Sequence, residues 1–127
     1  MKKSILALSI GAAVSCGAQA NLLITEYAEP NGGTNKLIEI CNTGSSEIKL
    51  DGYSLRKDTN GKNTFEGVIS LDGLTIQPNN VIIVANSSHE GLPFTPDKTG
   101  NLSFNGNDAV GLFDTTDKMI DVVGTVD

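Results

Sequence analysis

Short runs of strand-forming residues, separated by turn residues, make up most of this chain. Each run is five to seven residues long and rich in aliphatic and β-branched side chains, which is typical of β-strands. Turn pairs such as Asp51-Gly52 and Asp72-Gly73 separate the runs and can reverse the chain at low cost. The predicted strands are Leu22–Tyr27, Lys36–Asn42, Tyr53–Lys57, Thr64–Ser70, Val81–Ala85, Asp108–Phe113 and Met119–Val123. An α/β fold would need helical patterns between strands, so this spacing predicts an all-β sandwich.

Two of the runs indicate how the core is built. Val81–Ala85 is apolar throughout, so we expect both of its faces to be covered. In the second predicted strand, Ile38 and Ile40 share one face and Glu39 lies on the other. The carboxylate of Glu39 must therefore be hydrated or hydrogen-bonded.

The first twenty residues have the organisation of an export signal rather than of a folded element. Lys2 and Lys3 precede the apolar run Ser4–Val14, and the small residues Ala18 and Ala20 precede Asn21. We therefore predict a signal peptide that is cleaved after Ala20, and a product that begins at Asn21 and is secreted or periplasmic. The remaining 107 residues suffice for one domain.

A second interpretation of the leader is a lipoprotein signal in which Cys16 is the lipidated residue. The preceding residues, Ala13 to Ser15, lack the leucine that such sites usually carry. No later apolar run approaches membrane-spanning length, so we predict no membrane span.

The charge of the chain argues against capture of nucleic acid by this domain. Cleavage removes Lys2 and Lys3 but no acidic residue, so the net charge falls from −6 to −8. Binding to a phosphate backbone normally requires several Lys or Arg contacts. The one candidate basic patch is Arg56, Lys57 and Lys62, and we do not expect direct nucleic-acid binding.

Few residues are candidates for catalysis. Cys41 is the only cysteine after cleavage, and its apolar surroundings predict a buried, inert thiol. His89 is the only histidine and lies in a loop-like stretch, where we expect it to be exposed. We predict no catalytic residue, no metal ligand and no cofactor; a small hydrolase that uses His89 is the lesser alternative.

Carboxylates in turns and on strands leave two further alternatives. The turns Asn105–Asp108 and Asp114–Asp117 offer oxygen ligands that suit calcium, although hairpin formation explains the same residues. Glu26, Glu29 and Glu39 could pair as acid and base if neighbouring strands bring them together. The longest predicted loop, Ser87–Gly100, is the segment best suited to carry a variable function.

Several segments, spread in order over residues 21–127, resemble one known family. They are Leu23–Tyr27, Glu29, Asn35-Lys36, Glu39–Asn42, Leu50–Leu55, Leu71–Ala85, Asn105–Val110 and Ile120–Gly124. Together these segments resemble a bacterial lamin-tail domain, an immunoglobulin-like antiparallel β-sandwich that is often found at the amino end of secreted nucleases. In the nuclease relatives an OB-like region follows, and then an endonuclease/exonuclease/phosphatase domain that cuts phosphodiesters with a divalent metal.

The resemblance implies an accessory role and no chemistry of its own. The catalytic residues of the nuclease relatives lie in later domains and match no position of this sequence. Two departures from the family pattern are Cys41, where an aromatic residue is common, and the end at Asp127, where family members continue. We therefore expect either the amino-terminal part of an extracellular nuclease, with the nuclease domain as its partner, or a complete small extracellular or periplasmic binding or adhesion protein. The sequence identifies no binding residues for either.

Overall fold

The computed structural model describes residues 21–30 and 33–126 as a set of β-strands. The strands are β1 (Leu22–Ala28), β2 (Leu37–Asn42), β3 (Ile48–Lys49), β4 (Ser54–Asp58), β5 (Phe65–Ser70), β6 (Thr75–Ile76), β7 (Val81–Asn86), β8 (Lys98–Gly100), β9 (Ala109–Phe113) and β10 (Met119–Gly124). All seven predicted strands are confirmed, each within one residue at either end. Cys16, Ala18 and Ala20 lie outside the described residues, and Asn21 is the first residue within them.

Two four-stranded sheets face each other across a single core. One sheet has the strand order β1-β2-β7-β8 and the other has the order β10-β9-β4-β5, while β3 and β6 form a small separate pair. The described pairings are antiparallel except that of β7 with β8. Aliphatic side chains from both large sheets form one buried cluster, to which Ile40, Val84, Leu55 and Leu112 contribute. The predicted antiparallel sandwich is confirmed.

The alternation predicted for β2 is confirmed, but its outward face is less covered than expected. Ile38 and Ile40 are completely buried, and Glu39 on the opposite face accepts a hydrogen bond from the Thr25 hydroxyl at 2.7 Å. Cys41 is half-buried rather than buried, so that prediction is wrong. The reason is that Cys41 lies on the outward face of the sheet, beside Val81 of β7.

The prediction that both faces of β7 are covered is confirmed only in part, because Ile83 at its centre is half-buried and Val81 at its start is exposed. Ile82, Val84 and Ala85 are buried, whereas Val81 keeps 44% of its surface exposed. Val81 pairs with Cys41 and shares the same outward-facing row, so it is not covered from that side.

Two Leu-Asp-Gly turns, one after β3 and the other after β5, are hydrogen-bonded to each other. Asp72 Oδ1 accepts the N–H of Gly52 at 2.6 Å, and Asp51 Oδ1 accepts the N–H of Gly73 at 2.8 Å. Both glycines have φ near +80°, a conformation that disfavours other residues. The hydrogen bond with the Gly52 N–H, and to a smaller extent that with the Ser70 side chain, holds the pKa of Asp72 below its ordinary value. The sequence predicted each turn, but not that the two would bind each other.

Asn42 closes the turn that follows β2 from a fully buried position. Its Nδ2 donates to the carbonyls of Ser46 at 2.8 Å and Ile76 at 3.0 Å, and its Oδ1 accepts the N–H of Gly44 at 2.9 Å. All three partners are main-chain groups, so this side chain satisfies backbone that the sheets leave unpaired.

We expect Asn42→Ala to lower the free energy of unfolding by about 2–4 kcal/mol, because it leaves buried main-chain groups without partners. Urea unfolding followed by circular dichroism measures this change. Asn101→Ala is the matched control, since Asn101 is exposed in a loop and its loss should cost less than about 0.5 kcal/mol. Equal stabilities for the two variants would contradict the role assigned to Asn42.

Candidate functional site

Residues from several of the family-like segments meet at one end of the sandwich. Tyr27 near the end of β1 packs on Phe104, with ring centroids 4.6 Å apart. Lys36, which immediately precedes β2, donates a hydrogen bond from Nζ to the Phe104 carbonyl and lies 5.1 Å from the centroid of its ring. We call Tyr27, Glu29, Lys36, Phe104 and Asp108 the motif cluster.

The charges of Glu29 and Lys36 are paired within the motif cluster. The Tyr27 hydroxyl donates to Glu29 Oε2 at 2.5 Å, and Lys36 Nζ lies 3.7 Å from Glu29 Oε1. Only 16% of the Lys36 side chain and 24% of the Glu29 side chain are exposed. Solvent therefore screens the Lys36–Glu29 ion pair less than a pair on the surface. The contacts among Tyr27, Glu29 and Lys36 constrain the positions of all three side chains.

Tyr27 is held in its protonated form. Burial raises the pKa of Tyr27 well above its ordinary value, and the hydrogen bond to Glu29 and the charges of Glu29 and Asp108 raise it further. Each of these effects disfavours tyrosinate. The hydroxyl can therefore act as a hydrogen-bond donor near neutral pH and not as a base.

Next to the cluster, the loop after β4 wraps around a buried carboxylate. Asp58 is completely buried, and its oxygens accept the N–H groups of Lys62 at 3.1 Å, Asn63 at 2.9 Å and Thr64 at 3.2 Å. Successive N–H groups of this kind form a concave anion site, and here the chain's own carboxylate fills it. Asp58 was not predicted as a functional residue, although an aspartate placed before the Asn60-Gly61 turn is a signal for such a loop.

Asp108 is the second buried carboxylate at this end. Only 3% of the residue is exposed, and its oxygens accept the N–H groups of Asn60 at 2.9 Å and Asn105 at 3.0 Å. It therefore joins the loop after β4 to the turn before β9. The end of β10 lies against the same point, because a Cβ added to Gly124 would lie 2.3 Å from the Asp108 carbonyl oxygen.

The two turns considered for calcium use their carboxylates as turn acceptors. In the first turn, the acceptor is Asp108, as described above. In the second, Asp114 Oδ1 accepts hydrogen bonds from the N–H and the hydroxyl of Thr116 and from the N–H of Lys118. The Thr116 hydroxyl and then the Lys118 N–H hold the pKa of Asp114 below its ordinary value. Within the two described ranges, no group of three or more His, Cys, Asp or Glu residues is arranged to hold a metal ion.

Two of the three glutamates considered as an acid–base set, Glu29 and Glu39, have separate partners. Glu29 binds Tyr27 and Lys36 in the motif cluster, whereas Glu39 binds Thr25. Glu26 lies opposite Glu39 in the pairing of β1 with β2 and is exposed. The structure thus brings two of the three together and places Glu29 apart from them.

His89 differs from the expectation of an exposed imidazole. The residue is half-buried, and its Nδ1 is buried without a hydrogen-bond partner in the described part of the chain. The reason is that the loop after β7 is held against the rest of the molecule. Asn35 Nδ2 donates a hydrogen bond to the Glu90 carbonyl, and Asn35 Oδ1 accepts one from the Glu90 N–H, both at 2.8 Å.

Two of the three residues in the candidate basic patch of Arg56, Lys57 and Lys62 contact separate partners. Arg56 forms an ion pair with Asp117 and lies 4.3 Å from the centroid of the Phe113 ring. Lys57 instead donates to the Ser103 hydroxyl at 2.9 Å. Arg56 and Lys57 are thus both engaged in contacts within the domain.

The two packed sheets define an immunoglobulin-like β-sandwich. Residues 17–127 match the family model of the Lamin Tail Domain, so the chain belongs to the lamin tail domain family, whose domains are non-catalytic. A comparison with curated proteins finds no match. In the residues that the structure describes, there is no helix with the length and apolar character needed to cross a membrane.

We expect Tyr27 to ionise far above the pH at which free tyrosine does. The variant Tyr53→Phe leaves Tyr27 as the only tyrosine, and the tyrosinate absorbance reports its ionisation directly. The folded variant should show little tyrosinate at about pH 11, whereas the urea-unfolded chain should ionise near pH 10. A folded-state midpoint near 10 would contradict the contacts described for this hydroxyl.

The same pKa shift has a consequence for stability with a definite sign. The folded-state pKa is raised, so the contribution of Tyr27 is fully present below about pH 10 and is lost as the pH rises from there toward the folded-state pKa. The variant Tyr27→Phe removes this pH dependence of the free energy of unfolding and serves as the reference for the unaltered protein.

Proposed function

We propose that this chain is an exported, non-catalytic lamin-tail module that serves as the amino-terminal accessory domain of an extracellular nuclease. Catalysis would then reside in a later domain of the parent protein, and the family's non-catalytic character supports this division. The order of the family-like segments along the chain is the further support for the nuclease parent.

The observation that carries the proposal is the place where β10 ends. Gly124, its last residue, pairs with Ala109 and lies against Asp108, a member of the motif cluster. The backbone that follows therefore leaves the sandwich beside the motif cluster and the loop that Asp58 holds. A domain joined there would meet an end of the sandwich in which the carboxylates of Asp58 and Asp108 are tied to main-chain N–H groups.

The mechanism we propose is positioning. A rigid end limits the orientations of a following domain, because its loops cannot rearrange without breaking buried hydrogen bonds. The negative charge of the module disfavours contact with the phosphate backbone, so capture of nucleic acid would fall to the nuclease domain.

Sequencing the gene past the codon for Asp127 tests the nuclease parent. We expect an open frame that encodes a metal-dependent nuclease domain, and Mg²⁺-dependent cleavage of DNA or RNA by the full product but not by the purified 127-residue chain. An immediate stop codon would overturn the nuclease assignment and favour the small binding or adhesion protein. Cleavage by the chain itself, lost in His89→Ala, would overturn its non-catalytic role.

Export is tested by expressing the chain with its leader in a bacterium and measuring the molecular mass of the exported product by mass spectrometry. We expect a product that begins at Asn21, and accumulation of precursor in Ala18→Arg, because signal peptidase requires a small residue there. Gln19→Arg is the matched control and should be processed normally. A lipid-bearing product that begins at Cys16, and that Cys16→Ser abolishes, would contradict this prediction.

A further inference from the structure

Three of the outer strands in the two large sheets contain one residue more than the strand they pair with. The extra residue lies within Ile24–Glu26 of β1, Met119–Asp121 of β10 and Glu66–Ile69 of β5. Such bulges bend a strand and interrupt its hydrogen-bonding edge, which hinders the addition of a further strand. The fourth outer strand, β8, has only three residues.

The irregular stretches of β1 and β10 lie beside each other, and one carboxylate joins them. Asp121 of β10 accepts the N–H of Ile24 through Oδ2 at 2.7 Å and the N–H of its neighbour Val122 through Oδ1 at 2.9 Å. The Ile24 N–H points out of the β1 edge, where the carbonyl of an added strand would accept it. In this structure the Asp121 carboxylate takes the place of that carbonyl.

The edge that Asp121 covers would otherwise be prone to pairing. β1 has the sequence LLITEYA, which is rich in residues that favour strands, and Leu23 keeps 43% of its surface exposed. An exposed N–H on such an edge is a template for another extended segment.

We propose that Asp121 is a latch that closes the β1 edge and keeps the protein monomeric. The segment it excludes is β10 of a second copy, because β10 is the strand that already lies against this edge within one molecule. Pairing of β1 of one copy with β10 of the next, repeated from copy to copy, is a head-to-tail contact, which builds rings or open-ended assemblies.

The test compares Asp121→Val with Glu66→Val in the purified protein. Both remove one negative charge from an outer strand and add the same side chain, but Glu66 lies on β5, at the opposite edge of the sheet from β10. We expect Asp121→Val to form concentration-dependent oligomers in size-exclusion chromatography with light scattering, and Glu66→Val to stay monomeric. Exchange of the Ile24 amide hydrogen should accelerate on the order of tenfold in Asp121→Val when measured at low concentration by NMR.

Asp121→Asn separates hydrogen bonding from charge. Its Oδ1 can still accept the Ile24 N–H, so we expect a monomer with a slowly exchanging Ile24 amide. A monomeric Asp121→Val with unchanged exchange would overturn the proposal, as would oligomers in Asp121→Asn or Glu66→Val. If Asp121→Val does not fold, the unaltered protein decides: an Ile24 amide that exchanges at the rate of a free peptide would overturn the latch.

Discussion

Burial of one layer of aliphatic side chains between two sheets is the constraint on which the rest of this structure depends. Ile38 and Ile40 of β2 face Leu55 and Leu112 of the opposite sheet within a single cluster. The chain contains no Trp and four Phe, so most of the transfer free energy must come from such side chains. The sheets must therefore stay in register, since a slip of one residue would turn every core side chain toward water.

Carboxylates hold the loops that this core leaves at the edges and ends. Asp58, Asp108, Asp114 and Asp121 all accept main-chain N–H groups, and Asp51 and Asp72 do the same between two turns. A buried or turn N–H without a partner is costly, and a carboxylate with two oxygens can satisfy several at once. Much of the acidity of the chain thus has a structural explanation that does not require a metal ion or an acidic active site.

The motif cluster connects this structural role to the proposed function. Tyr27, Glu29 and Lys36 use their polar groups on one another and on the Phe104 carbonyl, so this end of the sandwich is stiffened from within. A module that orients a neighbouring domain needs such stiffness more than it needs reactive groups. The family-like residues at this end are explained in the same way, by the hydrogen bonds they make.

The sequence by itself determined seven of the ten described strands, because alternation and turn residues are local properties that each run carries with it. It also determined the side of β2 that faces the core, and the turns that separate the strands. The tertiary structure decided which distant groups meet: Lys36 with Phe104, Asp108 with Asn60, and Asp121 with Ile24. It also decided the partial exposure of Cys41 and the partial burial of His89, because burial depends on what the rest of the chain places over a residue. Pattern cannot supply these contacts, since they join residues as far apart as 97 positions and depend on the order of strands in the sheets.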